Sequence, residues 1–272
     1  MLLRQNRSCT TVDAENHILP LMESIQVYFE HDLQGTEVPS SQRAKTARIL
    51  MLHGHGQSGR IFYHKTRKII KCLQRMAAER DRKCYPGGIE LFYPNGPLQA
   101  SNNLEADVWV WGNGDFQRDL IKGIDEAIDK VLGILKKHGP FVGIIGFSTG
   151  AAIAAIITSL LEHQSPLRLR SNQVTHPPLE FAICFSGFKL GHSGHQQLYS
   201  ALIQTPVMHF IATLDTMIPN QQTRELISQC AKRNVVSFYG THYVPQGECQ
   251  TITVCSFILR KLGWHHSYGN IE

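Results

Sequence analysis

The sequence predicts an α/β fold with a mostly parallel central sheet and helices on both of its faces. From residue 47 onward, short apolar runs alternate with longer segments of helical periodicity, and several runs are closed by glycine or proline turns. The composition agrees, because 42% of the 272 residues are hydrophobic and 18% are charged. In such a sheet, reactive side chains collect at the carboxyl ends of the strands.

The individual elements follow from two patterns. Uninterrupted apolar runs indicate strands that are buried on both faces, and apolar residues three or four positions apart indicate helices. The expected strands are Ala47–His53, Ile89–Tyr93, Phe141–Phe147, Glu180–Phe185, Val207–Thr213 and Val235–Tyr239. The expected helices are Ile61–Arg80, Phe116–Lys137, Thr149–His163, Gln221–Arg233 and Cys249–Leu262.

Residues 1–46 show no clear hydrophobic period. We therefore predict an N-terminal extension, weakly ordered, ahead of a main domain that covers residues 47–272. Within the extension, Ile25–Phe29 fits a short strand.

Charge and cysteine content exclude several classes of protein. The net charge of +5 is weaker and less clustered than that of a typical nucleic-acid-binding protein. Seven cysteines without a C-x-x-C pair indicate reduced thiols, and no apolar segment fits a secretory signal or a membrane span. The histidine pairs at 53/55, 192/195 and 265/266 lack a third ligand at metal-binding spacing. We expect a cytoplasmic protein without a metal site.

A candidate nucleophile lies between an expected strand and an expected helix. Residues 146–150 read Gly-Phe-Ser-Thr-Gly, which fits the pattern G-x-S-x-G with Ser148 at its centre. Small neighbours permit the tight turn that exposes such a hydroxyl. A helix N-cap serine between glycines is the alternative interpretation. Ser186 and Ser193 lack the glycine spacing, so we predict that Ser148 is the nucleophile.

A serine nucleophile needs a base, and the base needs a third group to orient it. Asp215 follows the strand Val207–Thr213, and His242 follows the next strand. The order of Ser148, Asp215 and His242 along the chain is that of the α/β-hydrolase fold. The alternatives are that Asp215 caps a turn or helix and that His242 packs in a loop. Placement at consecutive strand ends favours an acid and a base.

The loop 54–59 permits two interpretations. It fits G-x-G-x-x-G between a strand and a helix, as in an NAD(P)-dependent oxidoreductase. That fold also needs an acid at the end of the second strand, whereas Glu90 lies at its beginning. In a hydrolase, the backbone N–H groups of His55 and Thr149 would form an oxyanion hole, and no cofactor would be needed. A binding module without catalysis is a further alternative.

Further residues are candidates for substrate contact. Trp109 and Trp111 either form a small apolar lid or pack against the sheet, and Ser186 and Met217 lie near the expected site. The segment 60–83 holds nine lysines or arginines and two acids. It is either a solvated helix face or a docking patch for an acyl carrier protein or a CoA thioester.

Together these motifs resemble the family of serine hydrolases found in fungi and other eukaryotes. The resemblance covers about residues 47–262. The resemblance rests on the G-x-S-x-G motif at 146–150, on Phe-Ser-Gly-Phe at 185–188 and on Gly-x-His-x-x-Pro at 240–245. It implies an α/β-hydrolase fold and hydrolysis of an ester or thioester through an acyl-enzyme. Because the family includes thioesterases that release polyketides, it also implies a place in fungal secondary metabolism.

Overall fold

The centre of the molecule is a seven-stranded sheet in which all neighbouring strands run parallel. The computed structural model describes residues 25–32, 44–101, 103, 106–116, 118–163, 175–199 and 201–265. The strands are β1 (Ile25–Phe29), β2 (Ala47–Leu52), β3 (Ile89–Tyr93), β4 (Leu98–Gln99), β5 (Trp109–Val110), β6 (Gly143–Phe147), β7 (Phe181–Phe185), β8 (Val207–Ala212) and β9 (Arg233–Phe238). The order in the large sheet is β1-β3-β2-β6-β7-β8-β9, and β4 and β5 form a separate antiparallel pair. The predicted parallel α/β architecture is confirmed.

Helices cover the two faces of the sheet. Those of the described ranges are α1 (Gly59–Ala78), α2 (Ile124–His138), α3 (Thr149–His163), α4 (Asn220–Ser228) and α5 (Glu248–Lys261), with a 3-10 helix at Ser193–Tyr199. Successive residues of β6 enter different cores. Ile144 packs with α2 and α3, whereas Ile145 packs with α1 and α5. This burial on both faces explains why the strands read as continuous apolar runs.

Two of the predicted helices are shorter than expected. The helix predicted over Phe116–Lys137 begins only at Ile124, because Gly123 has a φ of 86° and Asn113 pairs with Lys122 in a short bridge. The helix predicted over Gln221–Arg233 ends at Ser228. Beyond it, Cys230 forms a parallel bridge with Ile203, and Arg233 already begins β9. Backbone bridges outside the helices thus delay the start of α2 and follow the early end of α4, and the helical spacing of apolar residues did not reveal them.

The strand predicted at Ile25–Phe29 is confirmed. It pairs in register with β3, from Ile25 opposite Ile89 to Phe29 opposite Tyr93, and forms one edge of the sheet. This segment of the predicted extension is therefore part of the central sheet. The domain boundary at residue 47 stays a prediction, and residues 1–24 and 33–43 lie outside the described residues.

The described part of the chain shows no helix that is long and apolar enough to cross a membrane. Within the same residues, no group of three or more His, Cys, Asp or Glu side chains is arranged to hold a metal ion. The six cysteines in the described ranges are free.

Candidate active site

Ser148 lies on a tight turn between β6 and α3. Its φ is 54°, in the left-handed region that residues other than glycine seldom adopt. The glycines on either side are needed for packing, because a Cβ at Gly146 would collide with the backbone of Gly150, and one at Gly150 would collide with the carbonyl oxygens of Leu52 and His53. The sequence at 146–150 therefore folds as the sharp strand-to-helix turn that the motif predicted.

The side chains of Ser148, His242 and Asp215 form a hydrogen-bonded series. Ser148 Oγ lies 2.8 Å from His242 Nε2, and His242 Nδ1 lies 2.7 Å from Asp215 Oδ2. The other carboxylate oxygen of Asp215 accepts the backbone N–H groups of Met217 and Ile218, at 3.0 and 2.9 Å. A carboxylate fixed in this way favours the imidazole tautomer with its proton on Nδ1, so that Nε2 can accept the serine proton.

The acid and the base meet because two neighbouring strands end together. The register of β8 and β9 places Ala212 opposite Phe238. The loops that follow are joined by a backbone hydrogen bond of 2.9 Å from Leu214 N to Gly240 O. Asp215 and His242 therefore lie side by side at the carboxyl edge of the sheet, where the sequence order placed them.

The first loop and the start of α3 are adjacent. Gly150 packs directly on the carboxyl end of β2, since a Cβ there would collide with the last carbonyl groups of that strand. Thr149 is the first residue of α3, so its N–H has no acceptor within the helix. His55 lies in the loop that follows β2. Their role as oxyanion donors stays a prediction, and this packing supports it.

His53 holds the first loop in place, a role that the sequence did not reveal. Its Nε2 accepts the N–H of Gly96 at 2.9 Å, and its Nδ1 donates to the carbonyl oxygen of Gly54 at 2.7 Å. Burial lowers the pKa of His53 to about 4, so the ring is neutral near pH 7. The available signal in the sequence was that an apolar strand ends in a histidine followed by a glycine.

Trp111 supports the same loop from below and is not a lid. It is fully buried, its Nε1 donates to the carbonyl oxygen of His53 at 2.8 Å, and its ring lies 5.0 Å from that of His53. The alternative of packing thus describes Trp111, which directly follows the short strand β5. Trp109 is half-buried and donates its backbone N–H to Gln57 O at 2.8 Å.

The other pocket candidates lie at different depths. Met217 is 64% exposed next to Asp215. Ser186 is buried after β7 with a φ of 45°, and its hydroxyl has no hydrogen-bond partner among the described residues. Contact of Trp109, Ser186 and Met217 with a substrate stays a prediction.

The start of α1 is occupied by the protein's own side chains, which argues against a dinucleotide site. Asn95 Oδ1 accepts the N–H of Gly59 at 2.8 Å, and Ser58 Oγ accepts that of Ile61 at 3.1 Å. A pyrophosphate would require these N–H groups. The carboxylate of Glu90 is paired with Arg48, with Glu90 Oε2 2.8 Å from Arg48 Nε, and is therefore not available as a ribose ligand.

A model of the serine hydrolase (FSH1) family matches residues 41–254. The chain belongs to this family. Among family relatives, Esterase OVCA2 of Xenopus tropicalis is 28% identical over 78% of this chain and 92% of its own length. Family of serine hydrolases 3 of Saccharomyces cerevisiae is 29% identical over 78% of this chain and 83% of its own.

A protein named dihydrofolate reductase from Schizosaccharomyces pombe is 27% identical over 75% of this chain. The chain spans only 45% of the length of that protein. Because the serine hydrolase family model covers 41–254 of this chain, the reductase name does not transfer to it.

Solved structures show the same fold at low sequence identity. Zea mays acyl-protein thioesterase 2 superposes with a TM-score of 0.53 at 18% identity, over 83% of this chain and 97% of the other. Arabidopsis thaliana SOBER1 gives 0.55 at 16% identity, over 80% and 99%. At such identities the likeness concerns the fold, and it confirms the α/β-hydrolase architecture of this family member.

Proposed function

We propose that this serine hydrolase cleaves a carboxylic ester or thioester through an acyl-enzyme, with Ser148 as nucleophile, His242 as general base and Asp215 as the group that orients it. The observation that carries the proposal is the hydrogen-bonded series from Ser148 Oγ through the His242 ring to Asp215 Oδ2. A serine hydroxyl is a weak nucleophile unless a base lies within such reach.

The first half of the reaction forms the acyl-enzyme. Ser148 Oγ attacks the carbonyl carbon while its proton moves to His242 Nε2. Asp215 stabilises the imidazolium that results. The developing oxyanion is received by the backbone N–H groups of His55 and Thr149, each worth about 10²–10³ in rate if it acts as an oxyanion donor usually does. His242 then gives the proton to the departing alcohol or thiol.

The second half releases the acid. Water attacks the acyl group on Ser148, and His242 takes the proton of the water as it took that of the serine. The tetrahedral intermediate collapses, Ser148 recovers its proton from His242, and the carboxylic acid leaves. Each step of the proposed reaction thus balances with water, the three side chains and the backbone N–H groups of His55 and Thr149.

The relatives support an ester-type substrate, since two of them carry the names esterase and serine hydrolase. Because acyl-protein thioesterase 2 shares the fold, thioesters should be assayed beside oxygen esters as substrates. A polyketide-type acyl chain, a place in secondary metabolism and a cytoplasmic location stay predictions from the sequence.

A fluorophosphonate probe tests the proposal. We expect it to label the folded wild-type protein, and Ser148→Ala to abolish both labelling and turnover of p-nitrophenyl esters. Ser193→Ala is the matched control, because Ser193 is exposed and lies in the 3-10 helix Ser193–Tyr199 rather than on a strand-to-helix turn. Labelling that persists in Ser148→Ala would overturn the proposal. A folded wild-type protein that resists the probe would indicate a binding module without catalysis.

A further inference from the structure

One helix next to the candidate active site carries positive charge alone. Helix α1 contains no Asp or Glu. None of its cations has a carboxylate partner within 4.0 Å among the described residues. The six are Arg60, Lys65, Arg67, Lys68, Lys71 and Arg75. An ordinary solvated helix face mixes both signs of charge, because pairs three or four residues apart stabilise the helix.

Lys65 brings this charge to the wall of the active site. Its Nζ lies 5.1 Å from the centre of the Phe147 ring, and the same ring lies 4.9 Å from that of His242. One aromatic ring therefore separates the ammonium from the proposed base. Lys65 is half-buried, and this desolvation lowers its pKa. A partly buried cation without a carboxylate is favoured when an anion completes it.

Further cations extend from Lys65 along one side of α1. Lys68, Lys71 and Arg75 line a groove of about 340 Å³ between α1 and the first turns of α5. Gln246 lines the groove and donates to the carbonyl oxygen of Lys65 at 3.3 Å, so the loop that carries His242 meets α1 where the groove begins. Glu248 also lines the groove and is its one carboxylate.

We call Lys65, Lys68, Lys71 and Arg75 the cationic stripe. Its members are three or four residues apart and thus lie on one face of the helix. Lys65 and Arg75 are ten positions apart, which is about 15 Å along the helix at about 1.5 Å per residue. A single carboxylate on a substrate would need one of these cations. A line of four fits several anionic groups carried on a flexible chain.

We propose that the cationic stripe binds the phosphate groups of a phosphorylated leaving group, such as the nucleotide end of a CoA thioester, while the thioester carbonyl lies at Ser148. This rests on the proposed function and names its substrate class. Lysines bind phosphate as point charges, and partial burial strengthens the interaction. Hydrolysis then adds water across the thioester and releases a carboxylic acid and a phosphorylated thiol, whose proton comes from His242.

Kinetics with two thioesters of the same acyl group provide the first test. One is the acyl-CoA, and the other is the acyl N-acetylcysteamine thioester, which lacks phosphate. The ratio of their kcat/KM values should fall about tenfold in Lys68→Glu/Lys71→Glu, mostly through KM, since each reversal replaces an attraction with a repulsion. The matched control is Arg224→Glu/Lys232→Glu, which makes the same charge change at exposed cations outside α1.

An acyl chain with its own carboxylate distinguishes the other source of negative charge. If a p-nitrophenyl hemiester of a dicarboxylic acid responds to the stripe variants more than acyl-CoA does, the anion belongs to the acyl group and the proposal is wrong. An unchanged ratio in the stripe variant, or an equal fall in the control, also overturns it.

Binding of free CoA tests the stripe independently of turnover. In the Ser148→Ala protein, titration calorimetry should show binding that weakens about tenfold with Lys68→Glu/Lys71→Glu and weakens as salt is added, because exposed charges are screened. Pantetheine, which lacks the phosphate groups of CoA, serves as the neutral probe. Absence of CoA binding by the Ser148→Ala protein would overturn the phosphate site, whereas absence of probe labelling in the wild type would overturn the proposed hydrolase mechanism.

Discussion

At the scale of single residues, the candidate site combines a strained serine with a firmly held carboxylate. Ser148 has a positive φ, and conformations of this kind persist where the surroundings enforce them. The side chain of Asp215, by contrast, is held by its surroundings. It is only 3% exposed, and both of its carboxylate oxygens are hydrogen-bonded. The two residues therefore have different tasks. Ser148 presents its hydroxyl to the substrate, and Asp215 fixes the orientation of the His242 ring.

Replacing Asp215 with asparagine tests the second task. Asp215→Asn keeps the size of the side chain but no longer favours the His242 tautomer with its proton on Nδ1. We expect kcat for an activated ester to fall about 10⁴-fold with little change in KM. Stopped-flow or steady-state assays measure it, and Asp129→Asn on the exposed face of α2 is the control. A loss of less than about tenfold would mean that Asp215 does not orient the base.

At the scale of elements, the sequence predicted strands better than helix ends. The inner strands are buried on both faces, so their apolar runs stand out, and the partly exposed edge strand Ile25–Phe29 was identified as well. The start of α2 was missed because Ile121 is as buried as a helical core residue. It lies instead in a loop, where its N–H donates to His195 Nε2 at 2.9 Å. Contacts between distant segments leave no periodic signal.

Two glycines, one just before α2 and one within it, test what sets the start of this helix. Gly123 has a φ of 86°, and an added Cβ would lie 2.7 Å from Leu98 Cδ1. We expect Gly123→Ala to lower the free energy of unfolding by about 1–2 kcal/mol, because alanine in the left-handed region is strained.

The matched control lies within the same helix. Gly133 is exposed, and an added Cβ would meet nothing within 4 Å. Gly133→Ala should raise the free energy of unfolding by up to about 1 kcal/mol, since alanine is the better helix former. Urea unfolding measures both variants. If they change stability in the same direction, Gly123 does not set the start of α2.

At the scale of the whole molecule, the buried histidines couple stability to pH. Burial lowers the pKa of His53 to about 4 and that of His209, in the middle of β8, to about 3. Neither ring nitrogen of His209 has a hydrogen-bond partner among the described residues. The unfolded chain binds protons at these histidines near pH 6.5, whereas the folded protein does so only at lower pH.

Stability should therefore fall on acidification. Between about pH 6.5 and 4 the unfolded state holds more protons, so the free energy of unfolding decreases as pH is lowered, by up to about 1.4 kcal/mol per pH unit for each such histidine. His209→Met should reduce this slope, and it replaces two unpaired nitrogens with a side chain that suits an apolar site. Urea unfolding across this pH range measures the slope, with exposed His64→Met as control. An unchanged slope in His209→Met would contradict the explanation.

The sequence predicted the fold from its alternating apolar runs and helical segments. It predicted the three residues of the hydrogen-bonded series because each of them follows the end of an apolar run that indicates a strand. It did not predict that His53 and Trp111 support the first loop or that Lys65 lies against Phe147. Those relations join segments far apart in the chain, and nothing in their spacing records them. Trp111 directly follows β5, a strand of only two residues, which is too short to show a pattern.

The destination of the acyl group tests the central claim most directly. The wild-type protein is mixed with a p-nitrophenyl ester, quenched in acid within the first turnover, digested and analysed by peptide mass mapping. The account predicts that the mass of one acyl group appears on the peptide that contains Ser148. Turnover with the acyl group on any other residue would contradict it.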